Sequence, residues 1–253
     1  MEISGQRHHA TPKAIQRNKR MEQKRFENTD QLAKAVADEI VTLIADTLQK
    51  QDRFTFVLSG GSTPKKLYEL LASDDYKQKV NWQAVHFFWG DERFVPFTDE
   101  RNNAKMSFDT LLDKLPVAHS QIHVMRTDMP ADESSIQYEE ILRDYFGDNP
   151  THTFDLVLLG MGGDGHTLSL FPGYSIVHET NKWVDSFFLT EQNMYRITLT
   201  RDVVNKSSNI FFLVAGTDKK AALQQVLEGE PNPDKYPSQV IKPVNGRLVW
   251  FIV

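Results

Sequence analysis

The chain has 253 residues, 40% of them hydrophobic and 25% charged, which is enough apolar material for one sizeable α/β core. It contains no cysteine, which excludes disulfide bonds, thiolate nucleophiles and cysteine-ligated metals and fits a reducing compartment. The net charge of −5 argues against a nucleic-acid partner, and no apolar run reaches membrane-spanning length. Since no secretory leader follows Met1, we expect a cytoplasmic protein without nucleic-acid or membrane partners.

The beginning of the chain differs from the rest in charge. Residues 1–25 hold seven Lys or Arg and two acidic residues, although the whole chain is acidic. A short basic segment without an apolar pattern is typical of a solvated tail. We therefore predict a disordered tail over 1–25 and a folded α/β domain over 26–253.

After the tail, helical and extended patterns alternate along the chain. Helices are predicted at 29–48, 64–71, 103–112, 134–146 and 218–227, the first of them capped by Thr29 or Asp30. Strands are predicted at 54–58, 85–89, 122–125, 156–159, 195–199, 210–215 and 247–253. This alternation predicts a Rossmann-like α/β fold: a mostly parallel twisted sheet with helices on both faces, in a single domain with a small closing strand region.

A Ser-Gly-Gly-Ser-Thr-Pro motif follows the first predicted strand. Gly60 and Gly61 turn the chain, Thr63 suits the N-cap of a helix, and Pro64 suits its first position. Free N–H groups at such a helix start, with the hydroxyls of Ser62 and Thr63, can bind an anion such as phosphate. The motif lacks the Gly-Lys-Ser/Thr ending of a Walker A loop, and an ordinary strand-to-helix turn is the alternative.

Three charged residues follow the second predicted strand. Asp91, Glu92 and Arg93 come directly after residues 85–89, at a carboxyl end that often points into a cleft. Arg93 could bind a phosphate through two parallel hydrogen bonds, and Asp91 could orient a base or a substrate hydroxyl. The alternative is a local ion pair at the end of a strand.

The strand at 156–159 runs into four glycines within six residues. Gly162 and Gly163 belong to this run, which also contains Asp164 and His166. Glycine allows backbone N–H groups to approach a ligand closely, and an imidazole at the carboxyl end of a strand is suited to proton transfer. The segment therefore predicts a pocket that contains a proton-transfer group.

Two further cations are candidates for binding an anionic ligand. Lys219 lies in the first turn of the last predicted helix, where its charge opposes the helix dipole unless an anion is nearby. Arg196 begins the strand at 195–199. The alternatives are a solvated lysine and a surface charge on an edge strand.

These segments together resemble the family of sugar-phosphate isomerases and lactonases, and its 6-phosphogluconolactonase branch most of all. Four segments match in order, at residues 59–64, 89–96, 160–172 and 196–200. Asn103 resembles the asparagine that members carry shortly after the Asp-Glu-Arg segment. The resemblance covers nearly all of the chain from about residue 26.

The resemblance implies hydrolysis of a sugar-phosphate lactone without a metal or an organic cofactor. We expect a monomer by default, since the sequence does not indicate an oligomeric state. It implies that His166 is the general base and that Gly162 and Gly163 supply N–H groups to the oxyanion. Arg93, Lys219 and the amides of residues 60–63 would hold the phosphate. Asn103, Asp164 and Arg196 would complete the binding site, and Asp91 would position either His166 or the sugar hydroxyls.

Two alternative functions remain open. A glucosamine-6-phosphate deaminase shares the Gly-x-Asp-Gly-His element, but it follows the histidine with a different sequence from the Thr-Leu-Ser-Leu-Phe-Pro found here. A non-catalytic sugar-phosphate sensor would usually carry a DNA-binding module, and the basic tail is too short for one. Residues 191–195 also differ from the loop that the family leads us to expect, at one edge of the pocket.

Overall fold

A computed structural model describes residues 21–253. The strands are β1 Met21–Arg25, β2 Phe54–Leu58, β3 Val85–Trp89, β4 Asp91–Arg93, β5 Leu156–Leu159, β6 Val184–Leu189, β7 Met194–Leu199, β8 Asn209–Val214 and β9 Arg247–Ile252. The α-helices are α1 Thr29–Leu48, α2 Ser62–Leu71, α3 Asp74–Lys77, α4 Asn103–Thr110, α5 Ala131–Phe146, α6 Arg201–Asn205 and α7 Lys220–Glu228.

Six strands form the central sheet, in the order β1-β9-β8-β5-β2-β3. Every neighbouring pair in this sheet is parallel. A smaller antiparallel sheet of three strands has the order β4-β7-β6. The prediction of a mostly parallel sheet in a single α/β domain is confirmed.

Alternate side chains of the central strands enter two separate cores. Phe56 belongs to the core that includes Val36 and Ile40 of α1, whereas the next residue, Val57, belongs to the core that includes Tyr138 of α5. Successive side chains of a strand point to opposite faces of the sheet, so two cores require helices on both faces. The second core also includes Ile197 of the small sheet, which therefore packs over that face.

The parallel arrangement sets the position of the candidate site. The carboxyl ends of β2, β3, β5 and β8 lie at one edge of the central sheet. The segments that follow these four strands contain the Ser-Gly-Gly-Ser motif, the Asp-Glu-Arg motif, the glycine-rich turn and Lys219. Ligands of open α/β sheets bind at this edge.

The N-caps of two helices differ from the prediction. Asn28, and not Thr29 or Asp30, caps α1, because its Oδ1 accepts a hydrogen bond from Gln31 N at 3.0 Å. Helix α2 begins at Ser62, with Gly61 as its N-cap at a φ of 106°, so the prediction of Thr63 as N-cap is wrong. That left-handed φ is one that glycine adopts without strain.

The prediction of a disordered segment over residues 1–25 is wrong at its end. Residues 21–25 form β1, which pairs with β9 along its whole length. Arg247 of β9 forms ion pairs with Glu22 and Glu39, and Lys24 contacts Glu39 at 2.6 Å. Residues 1–20 lie outside the described residues.

Other differences are found in short or polar segments. Residues 122–125 do not form the predicted strand, since Ile122 makes only an isolated bridge to Phe87. The sequence reading missed β4, whose three residues are all charged, and β6, together with the short helices α3 and α6. Within residues 21–253, no helix is both long and apolar enough to cross a membrane.

Candidate active site

The glycine-rich turn after β5 holds His166 against Asp164. The imidazole Nδ1 lies 2.6 Å from Asp164 Oδ1, and the same oxygen accepts the backbone N–H of His166 at 3.0 Å. Thr167 Oγ1 donates to Gly160 O at 2.8 Å and closes the turn. With Nδ1–H directed at a carboxylate, the neutral imidazole carries an unprotonated Nε2, which is the atom a general base needs.

Asp164 is suited to remain ionised. Its partial burial acts to raise the pKa of the carboxyl, but the hydrogen bond and the charge of His166 outweigh this effect, and the pKa lies below its usual value. A charged carboxylate at Nδ1 would stabilise the imidazolium that forms when Nε2 accepts a proton.

Phe171 connects the histidine with a buried arginine. Its ring stacks on the imidazole of His166, with centroids 4.2 Å apart and planes at 24°. The guanidinium of Arg196 lies 5.5 Å from the same ring centroid. Arg196 is only 3% exposed and lies on the central strand of the small sheet, which excludes the alternative of an edge-strand surface charge.

Asp91 contacts Ser169 and Arg196. Ser169 Oγ donates to Asp91 Oδ2 at 2.7 Å, and Arg196 Nη1 lies 3.6 Å from the same oxygen. Among the described residues, the carboxylate that contacts His166 is that of Asp164, so Asp164 takes the orienting position that one alternative assigned to Asp91. The carboxylate of Asp91 remains available to a substrate hydroxyl or to Arg196.

Ser169 is a site residue that the sequence reading missed. It is fully buried, and its hydroxyl lies between Asp91 and Arg196. Leu168, directly before it, adopts a φ of 55°, which is uncommon for a residue other than glycine and redirects the chain. Ser169 belongs to the His-Thr-Leu-Ser segment, which the sequence already indicates as part of the site. The sequence does not show that Leu168 is left-handed, and therefore does not show that the Ser169 side chain turns inward.

Asn103 joins the second motif to the first. Its Nδ2 donates to Asp91 O at 3.0 Å. A Cβ at Gly60 would lie only 1.9 Å from Asn103 Oδ1, so the asparagine occupies the space that a side chain at residue 60 would fill. Gly60 is therefore required by this close approach.

A cavity of about 260 Å³ lies beside the start of α2 and is lined in part by Gly61, Ser62, Arg93 and Asn103. The N–H groups of Ser62 and Thr63 in the first turn of α2 have no partner within residues 21–253. Unpaired N–H groups at a helix start and a guanidinium are the donors that a phosphate group needs. His166 does not line this cavity.

The two arginines of the site retain free donors. Arg93 donates from Nη1 to Arg101 O at 3.0 Å, and its buried Nε has no hydrogen-bond partner in the described part of the chain. The buried Nε of Arg196 is likewise unpaired. Buried N–H groups without a partner are costly, so an anionic ligand that accepts from them would bind favourably.

Two expectations about individual groups need correction. The N–H of Gly162 donates to His166 O at 2.9 Å and is not free to bind an oxyanion. Lys219 ends the 3-10 turn Thr217–Lys219 and is the N-cap of α7, so it does not lie in the first turn of that helix. A Cβ at Gly163 would lie 3.4 Å from Asp218 O, which brings this turn beside the glycine-rich segment.

No group of three or more His, Asp or Glu side chains within residues 21–253 is arranged to hold a metal ion. The fold and the site thus define an α/β protein with a histidine–carboxylate pair and an arginine-rich pocket at the carboxyl edge of its sheet. The chain belongs to the family of glucosamine-6-phosphate isomerases and 6-phosphogluconolactonases, whose sequence model matches residues 27–250.

Curated and solved relatives agree with this assignment. The chain is 38% identical to a 6-phosphogluconolactonase of Nostoc sp. over 85% of this chain and 88% of the relative, and 36% identical to that of Synechocystis sp. over 84% and 87%. The crystal structure of 6-phosphogluconolactonase from Thermotoga maritima superimposes with a TM-score of 0.79 at 27% identity, covering 92% of this chain and 99% of that one.

Proposed function

We propose that the protein hydrolyses 6-phospho-D-glucono-1,5-lactone to 6-phospho-D-gluconate, the second step of the oxidative pentose phosphate pathway. The observation that carries this proposal is the 2.6 Å contact between His166 Nδ1 and Asp164, which leaves Nε2 of His166 free to act as a base. The similarity to the 6-phosphogluconolactonases of Nostoc sp. and Synechocystis sp., at 38% and 36% identity, supports the choice of substrate.

A lactone is a cyclic ester, so water must attack its carbonyl carbon. His166 Nε2 removes a proton from the water as the new C–O bond forms, and Asp164 stabilises the resulting imidazolium. The tetrahedral intermediate then expels the ring oxygen, which takes the proton from Nε2 and becomes the C5 hydroxyl. Gly163 is the remaining candidate for an oxyanion N–H donor, since Gly162 N–H is already bonded.

The phosphate is bound by donors from several segments. The free N–H groups of Ser62 and Thr63 lie at the cavity that Arg93 also lines. Gly60 and Gly61 form the turn that places these N–H groups there. Lys219 adds a positive charge from the β8 side of the site. This distribution matches a dianionic group, which accepts several hydrogen bonds at once.

The sugar lies between the phosphate and the histidine. Asn103, Asp91 and Arg196 offer a carboxamide, a carboxylate and a guanidinium to its hydroxyls and carbonyl. Asp91, held by Ser169, accepts from a hydroxyl and does not act on His166. We further propose that the protein works as a monomer in the cytoplasm, in keeping with a sequence that lacks cysteine.

The deciding experiment is the rate of lactone disappearance with the purified protein, against a buffer blank and a His166→Asn variant. We expect the catalysed rate of the variant to be about 10²- to 10⁴-fold lower. The variant should still bind 6-phosphogluconate, because only the base is removed. A folded protein that gives no acceleration over the blank would exclude the lactonase. Release of ammonia from glucosamine 6-phosphate would then identify a deaminase, and ligand binding without turnover a sensor.

A further inference from the structure

Glu92 is a buried carboxylate for which the proposed reaction has no chemical step. It lies in β4 between Asp91 and Arg93, and only 1% of its surface is exposed. Burial raises the pKa of Glu92 to about 7, although three backbone N–H groups that bind the carboxylate act in the opposite direction. Taken alone, that pKa would suit an acid or base at neutral pH.

The contacts of Glu92 argue against such a chemical role. Oε1 accepts the N–H of Arg93 at 2.8 Å and that of Asn103 at 2.7 Å, and Oε2 accepts the N–H of Ala104 at 2.8 Å. The carboxylate does not line the cavity, so it does not meet a substrate there. Instead, the two oxygens together accept backbone N–H groups from β4 and from α4.

Two of these N–H groups belong to the first turn of α4. Such groups have no partner within the helix, and a negative charge beside them is stabilised by the helix dipole. Asn102 satisfies another by accepting from Lys105 N at 2.8 Å. Glu92 thus ties the start of α4 to β4, two elements that are separated along the chain by residues 94–102.

The residues on either side of this connection line the cavity. Arg93 follows Glu92 in β4, and Asn103 is the first residue of α4. Asn103 also binds Asp91 O and packs against Gly60, so a shift of α4 would move its carboxamide relative to the glycine turn. One carboxylate therefore connects the backbones of two residues that line the cavity.

We propose that Glu92 is a positioning residue: it fixes the backbones of Arg93 and Asn103 so that their side chains bind the phosphosugar together. This inference rests on the proposed function for its substrate, but the connection itself exists without any ligand. Its role is in binding, and the protonation steps of hydrolysis belong to His166.

The test compares Glu92→Gln with Glu139→Gln. The amide of glutamine has the size of the Glu92 carboxylate, but its NH₂ group replaces one of the two accepting oxygens with a donor. At least one backbone N–H that now donates to Glu92 would therefore lose its acceptor. Glu139 is the control, because its Oε2 accepts the N–H groups of Trp183 and Val184 at 2.8 and 3.1 Å, at the start of β6, while its Oε1 pairs with Arg143. Both variants disturb a carboxylate that binds backbone, and only one of them is connected to the cavity.

We expect Glu92→Gln to raise KM for the lactone by about tenfold, the size expected for a lost charge-assisted hydrogen bond, with kcat within about threefold of the parent. Amide hydrogen exchange at Arg93, Asn103 and Ala104 should accelerate in the absence of substrate. Glu139→Gln should accelerate exchange at Trp183 and Val184 and leave KM unchanged. Should Glu92→Gln fail to fold, Glu92→Asp, which keeps the charge but is one methylene shorter, should show the same changes to a smaller extent.

Faster exchange with an unchanged KM would overturn the positioning role, and so would a fall in kcat with KM unchanged, which would assign Glu92 to the chemistry. An unsubstituted protein that does not hydrolyse the lactone would instead refute the proposed function. The exchange rates, with the affinity for 6-phosphogluconate as the probe, would still decide the role of Glu92 in that case.

Discussion

At the scale of single residues, the site depends on close approaches that only the structure reveals. His166, Asp164 and Arg93 could be selected from the sequence because their residue types and their positions after strands indicate chemistry. The contact of His166 with Asp164, and not with Asp91, could not be predicted, because it depends on the path of a glycine-rich turn. Ser169 was missed for the same reason, since its inward direction follows from the backbone of Leu168.

Gly162 offers a direct test of how tightly the histidine is held. A Cβ there would lie 2.2 Å from His166 Nδ1 and 2.6 Å from Asp164 Oδ1. We expect Gly162→Ala to displace the imidazole and to reduce kcat by about 10²-fold, the lower range for loss of a positioned general base. Gly160→Ala is the control, because a Cβ at Gly160 has nothing within 4 Å. Equal kcat values for the two variants would contradict the geometry.

At the scale of elements, long apolar patterns predicted well and short polar ones did not. β2, β3 and β5 have the predicted bounds, because buried parallel strands are nearly continuous apolar runs. β4 is Asp-Glu-Arg and, within residues 21–253, pairs with β7 alone. Its charged residues predicted a functional site, but the same charges concealed the strand that positions them.

β1 is expected to stabilise the fold, because it covers the edge of the central sheet at β9. Without it, the apolar strand β9 would become an edge of the central sheet and would be prone to aggregate. The test is to compare a chain that begins at Met21 with one that begins at Phe26. The shorter chain should lose about 2 kcal/mol or more of unfolding free energy, since several ladder hydrogen bonds of about 1 kcal/mol each are removed. Urea denaturation measures the free energy of unfolding, and light scattering measures aggregation. Equal urea midpoints for the two chains would show that β1 contributes little to stability.

At the scale of the whole molecule, the topology brings three cations of the candidate site to one edge of the sheet. The chain has a net charge of −5, yet Arg93, Arg196 and Lys219 gather at one edge of the sheet. The overall composition therefore gave no indication of an anionic ligand. The indication came from the position of each cation after a parallel strand or within the small sheet, which is information about topology and not about composition.

This distribution predicts that salt weakens substrate binding. The Debye length falls from about 10 Å at 0.1 M salt to about 3 Å at 1 M, so the attraction of a phosphate dianion to these cations is screened. We expect KM for the phosphorylated lactone to rise several-fold between about 0.05 and 0.5 M NaCl, with kcat nearly constant. Unphosphorylated glucono-1,5-lactone is the control, since its KM should not depend on salt. A KM for the phosphorylated substrate that salt leaves unchanged would argue against an electrostatic phosphate site.

The ring of Phe171 has a consequence for spectroscopy. Because it stacks on the imidazole of His166 at 4.2 Å and also lies beside the guanidinium of Arg196, its protons sense the charge of both groups. Their NMR chemical shifts should move when the histidine gains a proton and again when an anion neutralises the arginine. A single isotopically labelled phenylalanine would therefore act as a built-in reporter, with which ligand binding and proton uptake can be followed separately in the unmodified protein.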